Sequence, residues 1–184
     1  GATVMARMVR FHAFGGPEVL RIEDVDVPAP GAGEIRIRVK AMGLNRADAL
    51  FRSGRYIEAP ASLPAGLGLE AAGIVETLGE GVRGFAPGDP VSIIPPVSMA
   101  HWPAHGELVT FPAEFAVRHP PSLGWETAAA MWMQYLTAYG ALVEVAAVRP
   151  GDFVVITAAS SSVGLAAIQI ARLLGAIPIA VVHA

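Results

Sequence analysis

Apolar and polar residues alternate strictly over Glu34-Ile-Arg-Ile-Arg-Val-Lys40, which predicts a β-strand with one wet face. Arg7 to Phe11 and Leu20 to Val25 are shorter strand-like runs, and Ala71 to Leu78 and Pro90 to Ile94 predict two more strands. Turn clusters punctuate them: Pro28 to Gly33, and Gly84 to Asp89. Asn45 is placed to cap a short helix that runs to Arg52 and ends at Ser53-Gly54. Many short strands cut by Gly and Pro predict a partly open β-barrel over residues 1–122.

The pattern changes near Ser122, a candidate helix cap with Glu126 in the first turn. An apolar helix is expected from there to about Ala147. After the turn at Arg149 to Asp152, Phe153 to Thr157 reads as an all-apolar strand of the buried parallel kind. A loop of small residues follows, then a helix from Val163 to Leu174, apolar almost all round and so expected to be buried. Gly175 stops it, and Ile177 to Val182 predicts a second buried strand. Residues 123–184 thus predict a long helix and one βαβ unit of an α/β domain.

Composition narrows the class. Hydrophobic residues make up 53% of the chain and charged residues 16%, as in a folded, core-rich protein. A net charge of -3 with no basic run argues against a nucleic-acid partner. Ala128 to Val148 is interrupted by Gln134, Thr137 and Glu144, so it is expected to be a core helix rather than a membrane span. The chain has no cysteine, which rules out disulfides, thiolate metal sites and cysteine nucleophiles and fits a cytoplasmic setting. The first ten residues lack the apolar core of a signal peptide.

Ala158-Ala-Ser-Ser-Ser-Val-Gly164 joins a strand to a helix, and its small side chains would let a diphosphate approach free helix N–H groups. The dinucleotide pattern G-x-G-x-x-G falls on Ala159, Ser161 and Gly164, so two glycines are missing, and a tight packing turn is the competing reading. No acid stands at Val181-Val182-His183, where one would favour NAD, so NADPH is expected in preference to NADH. His183 would face a 2′-phosphate or simply solvent.

Several segments, in order, resemble the quinone oxidoreductase-like branch of the medium-chain dehydrogenase/reductase superfamily. They are Phe14 to Leu20, Gly43-Leu-Asn-Arg-Ala-Asp48, Arg52 to Tyr56, Gly66 to Gly73, Gly88 to Val91, Met133 to Tyr139 and Ala158 to Ala171. The resemblance implies a GroES-like catalytic domain at 1–122. The interdomain helix and the first βαβ unit of a truncated Rossmann domain follow at 123–184. It implies an NADPH-dependent reductase acting on a quinone or an activated C=C or C=O acceptor, cytoplasmic and homodimeric when full length, with no membrane partner. In zinc-dependent relatives a Cys stands at the position of Asn45 and a His at that of Leu69, so only Glu70 of that set remains and no zinc is expected. His101 and His105 are four apart, but Pro103 between them argues against a shared helix face.

The resemblance also assigns candidate roles. Asn45 would lie near nicotinamide and substrate and donate to the acceptor carbonyl, or it caps its helix. Tyr56 would donate a hydrogen bond or proton, or it packs as a half-buried tyrosine. Thr137 would contact the nicotinamide ribose or amide, or its hydroxyl bonds its own helix. Gln134 is a weaker cofactor candidate. Ser160, Ser161, Ser162, Val163 and Gly164 would receive the diphosphate.

A doubly wound domain needs about six strands and this chain supplies two. The chain is therefore expected to be a fragment, a partly traced polypeptide or one completed by a partner, binding NADPH weakly or not at all. An enoyl or alkenal reductase is the nearest alternative. A non-catalytic GroES-like binding or assembly module is the alternative from another class.

Overall fold

The structure, a computed structural model, describes residues 3–183. The chain forms two compact units, Gly1–Ala130 and Met131–Ala184.

In the first unit, β1 (Val4–Phe11) pairs antiparallel with β2 (Leu20–Val27) and with the two-residue β4 (Ala65–Gly66). A five-stranded antiparallel sheet has the order β7-β3-β5-β6-β8: Leu108–Pro112, Glu34–Gly43, Glu70–Leu78, Pro90–Ile93 and Ala116–Arg118. A bridge between Met8 and Gly106 joins the two sheets, so a partly open barrel results. Inside it Ile35, Ile37, Val75, Val91, Ile93 and Phe111 form one buried cluster. Each such side chain contributes about 1.5–3 kcal/mol on burial.

The strand at Glu34 does not keep one fully wet face. Arg36 is 6% exposed. Its guanidinium bonds Glu76 Oε2 at 2.7 Å and the carbonyls of Val27 and Pro28, and these partners allow a charged residue inside.

Between β3 and β4, α1 (Arg46–Arg52) buries Ala47, Asp48 and Phe51. The Phe51 ring stands edge-on to Phe11, with centroids 5.8 Å apart.

The long helix expected from 123 to 147 is broken. Trp125–Ala129 forms α2, which begins at Gly124 rather than at a Ser122 cap. Ala128 and Ala129 pack against Ala72 of β5, so α2 belongs to the first unit. In the second unit, α3 (Trp132–Tyr139) runs into a π-helical turn at Gly140–Val145. There Ala146 N–H reaches back five residues to Ala141 O at 3.0 Å.

The βαβ unit follows: β9 (Phe153–Thr157), α4 (Ser162–Leu173) and β10 (Ile177–Val181), with the strands parallel and Phe153 opposite Ile177. Ala166, Ala167 and Ala171 let α4 approach Ile156 and Ala159 closely. Neither the strands nor the helix is buried all round as expected. α4 covers one sheet face, while on the other Phe153 and Val155 are 72% and 63% exposed, beside exposed Ile177, Ile179 and Val181. Leu165 and Leu173 on α4 are exposed as well.

Candidate active site

The first unit brings Asn45, Asp48, Tyr56 and Glu70 to the end of β3 and the start of α1. Gly43 ends β3 and pairs in register with Glu70, the first residue of β5. A Cβ at Gly43 would come within 2.3 Å of Ala129 O and 2.8 Å of Glu70 Oε2, so only glycine leaves room for that carboxylate over the backbone.

Glu70 is 1% exposed. Its Oε2 accepts a hydrogen bond from Asn45 Nδ2 at 2.9 Å. Asn45 is also the N-cap residue of α1, in a capping box with Asp48. The Asn45 N–H donates to Asp48 Oδ2 at 2.7 Å, and the Asp48 N–H donates to the Asn45 carbonyl at 3.0 Å. Asn45 thus caps the helix as expected, while its side-chain amide meets a buried acid. Burial holds the Asp48 carboxyl above its ordinary range, against the opposing pull of the Asn45 N–H and of His105.

Tyr56 packs edge-on to Phe51, with centroids 6.3 Å apart, and is half-buried. Its phenol is pushed above its ordinary value of 10.0, first by burial and then by the charges of Glu58 and Asp48. It stays protonated at neutral pH and can donate a hydrogen bond. Nearby, Glu58 accepts from the Ser98 hydroxyl and from the Met99 N–H, tying the two loops together.

His101 is exposed and His105 buried, so the two do not share a face. Among the described residues no three His, Asp or Glu side chains gather as a metal site would require. A groove of about 360 Å³ lined by residues including Met8, Arg10, His101, Trp102 and Thr110 contains none of the candidate catalytic or cofactor-binding residues.

In the second unit the loop after β9 is built for close approach. Ser161 is the N-cap of α4, and its hydroxyl accepts from Gly164 N–H at 3.1 Å. No acid lies in the first turn of α4. The N–H groups of Ser162 and Val163 lie in that turn, where helix geometry gives donors no intrahelical partner. Ser160, Ser161, Ser162 and Val163 are exposed. Gly164 is buried, and a Cβ there would meet Ala158 O and Ala159 at 2.7 Å. Ala158 takes the left-handed conformation, φ 48°, at the start of the turn. These features fit a diphosphate, and the one glycine kept is where helix and strand touch.

The Thr137 hydroxyl donates to Met133 O at 2.6 Å, so in this structure it serves its own helix. Gln134 is half-buried on the same helix, and Tyr135 donates to Gln169 of α4. His183 lies two residues beyond β10 and is exposed.

Residues 31–154 match the family of alcohol dehydrogenase GroES-like domains. The chain is 40% identical over 171 residues to a quinone oxidoreductase from Rattus norvegicus, covering 91% of this chain and 50% of that one. The crystal structure of Escherichia coli quinone oxidoreductase complexed with NADPH superposes with a TM-score of 0.85 at 37% identity, over 95% of this chain and 52% of that one. The CurK enoyl reductase superposes with a TM-score of 0.86 at 28% identity, over 97% of this chain and 54% of that one. The chain spans about half the length of the relatives it matches.

Proposed function

Because this chain belongs to the medium-chain dehydrogenase/reductase superfamily, in its quinone oxidoreductase branch, we propose that it forms part of a metal-free, NADPH-dependent reductase of quinones or conjugated carbonyl compounds. The observation that carries this reading is the hydrogen bond from Asn45 to Glu70. An asparagine amide nitrogen has two hydrogens. One is committed to the carboxylate, which orients the other toward an acceptor oxygen. That donor takes the part a metal ion plays elsewhere, polarising the carbonyl as charge develops on its oxygen. The Leu69 side chain has no donor atom, and the Asn45 amide is engaged, so this group of side chains does not fit zinc.

Tyr56 supplies a second donor, protonated across the neutral range. The diphosphate of a nicotinamide cofactor would rest on Ser160 to Gly164 at the start of α4. Bound NADPH would supply the hydride. The absence of an acid at Val181 to His183 favours the 2′-phosphorylated form, and His183 would meet that phosphate. Thr137 and Gln134 on α3 would face the nicotinamide side, Thr137 with its backbone carbonyl or after giving up its bond to Met133. The superfamily relationship also supports a dimeric, cytoplasmic protein.

The likeness to the CurK enoyl reductase favours a conjugated enone or enoyl acceptor as the second reading. NADPH oxidation by the native protein, followed against 1,4-quinones and against enones with and without a zinc chelator, tests both. Turnover insensitive to the chelator is expected. Loss of turnover on chelation, or a preference for NADH, overturns the proposal. A non-catalytic module would show no rise in melting temperature with NADPH.

A further inference from the structure

The imidazole of His105 touches both ends of the short segment that carries Asn45. Its Nε2 lies 3.0 Å from the Gly43 carbonyl oxygen, two residues before Asn45. The same nitrogen lies 3.9 Å from Asp48 Oδ2, the oxygen that accepts the Asn45 N–H. With the ring proton on Nε2, His105 donates to Gly43 and presents that proton's positive edge to Asp48.

His105 is itself tightly framed. Its N–H donates to Leu67 O at 3.0 Å, and its carbonyl accepts from Val9 N–H at 2.9 Å. The ring is 6% exposed at its side chain. It fills space left by Gly68, which has φ +104°, and a Cβ there would come within 2.3 Å of the ring. Left-handed backbone and lack of a side chain are thus both required at Gly68 for the ring to lie where it does.

The chain therefore sets a tightly framed ring against the strand-to-helix junction. The junction leaves a strand at Gly43, turns through Leu44 and enters a helix at Arg46. Leu44 is 82% exposed and adds no packing of its own. The polar contacts of Gly43 and Asp48 flank Asn45 on either side in the chain. We propose that His105 is a positioning residue, which sets the direction of the Asn45 amide by holding the Gly43 carbonyl on one side and the Asp48 carboxylate on the other. It touches no substrate. The inference rests on Asn45 being the donor to the acceptor oxygen.

The test compares His105→Phe, which keeps a ring but loses the donor, with His105→Gln, whose amide nitrogen can donate to Gly43 in place of Nε2. Two readouts are taken on the native protein. The first is the separation of the two Asn45 side-chain amide protons in ¹⁵N-correlated NMR, which is widened by the bond to Glu70 and is independent of any catalysis. The second is kcat for NADPH oxidation with a quinone. In the Phe variant the amide separation should collapse and kcat should fall about 10- to 100-fold, the range expected for a misplaced catalytic group. KM for NADPH should stay within about twofold, since a tenfold change would need about 1.4 kcal/mol of lost binding. The Gln variant should restore both readouts.

An unchanged amide separation in the Phe variant overturns the proposal. So does an equal collapse in both variants, which would make ring shape the cause. If the Phe variant does not fold, His105→Asn, too short to reach Gly43, takes its place with the same expected result. Absence of turnover in the unsubstituted protein would overturn the reductase reading, while the NMR comparison would still decide the role of His105.

Discussion

Asn45 Nδ2 and Glu70 Oε2 lie 2.9 Å apart, a hydrogen bond between the strand-to-helix junction after β3 and the first residue of β5. It is charge-assisted when Glu70 is ionised, and the acid is almost wholly buried. Such a bond is worth about 1.5–3 kcal/mol.

Asn45→Asp replaces that donor with a second carboxylate. The two acids must then share a proton, which raises the folded-state value of one above its unfolded value. A raised folded value means that stability is intact at low pH and is lost as pH climbs through it. The variant should therefore melt close to the parent near pH 5 and several degrees below it at pH 8, with about 1.4 kcal/mol lost for every tenfold rise in the pair's affinity for that proton. Calorimetry at the two pH values decides this, and an equal loss at both would refute it.

Ala158 and Gly164 make opposite predictions within one loop. Ala158 has φ 48°, so Ala158→Gly should stabilise the second unit by about 1 kcal/mol. Gly164 has no room for a Cβ, so Gly164→Ala should cost about 1–3 kcal/mol and also displace the first turn of α4. Urea unfolding of the two variants should move their midpoints in opposite directions.

Glu76 is the acid that keeps Arg36 neutralised inside the first unit, and it also bonds Arg38 Nη2 at 2.6 Å. Glu76→Ala should cost about 3–5 kcal/mol, because it leaves a buried guanidinium without its counter-charge. The double variant Arg36→Met with Glu76→Leu should recover most of that loss in thermal unfolding.

Glu107 and Asp89 contribute, with Glu18 and Glu23, to the acid limb of the stability curve. The side-chain bond from Arg7 and then the Arg7 N–H lower Glu107, while the Ala86 N–H and then Arg118 lower Asp89. For lowered acids stability is present above the ordinary value and is lost as pH falls through the folded value. The loss should begin near the ordinary values of 4.5 and 3.8 and continue below them. Glu107→Gln should flatten this limb in acid titrations followed by circular dichroism, and an unchanged slope would count against it.

The strands that alternate between wet and dry were legible from the chain alone, and so were the breaks at Gly and Pro. β7 was not, because Leu108, Val109 and Phe111 are all buried and no alternation marks the strand. β4 and β8 have two and three residues, too few for any period to show. The π-helical turn left only Gly140 as a local sign. In the site, Asn45, Tyr56 and Glu70 could be named from their motifs. The part played by His105 could not, because its partner Gly43 is 62 positions away and nothing local announces it. Thr137 fits two roles by sequence, and its hydroxyl bonds Met133 O in this structure.

The uncovered face of β9 and β10 has a consequence for how the chain behaves in a tube. Phe153, Val155, Ile177, Ile179 and Val181 together expose a strip of oily surface, and the chain carries a formal charge of only -3 to keep copies apart. Its isoelectric point near 5.9 lies within common buffer range. Around that pH Coulomb repulsion vanishes while the oily strip is unchanged, so light scattering should rise steeply there and recede toward pH 8.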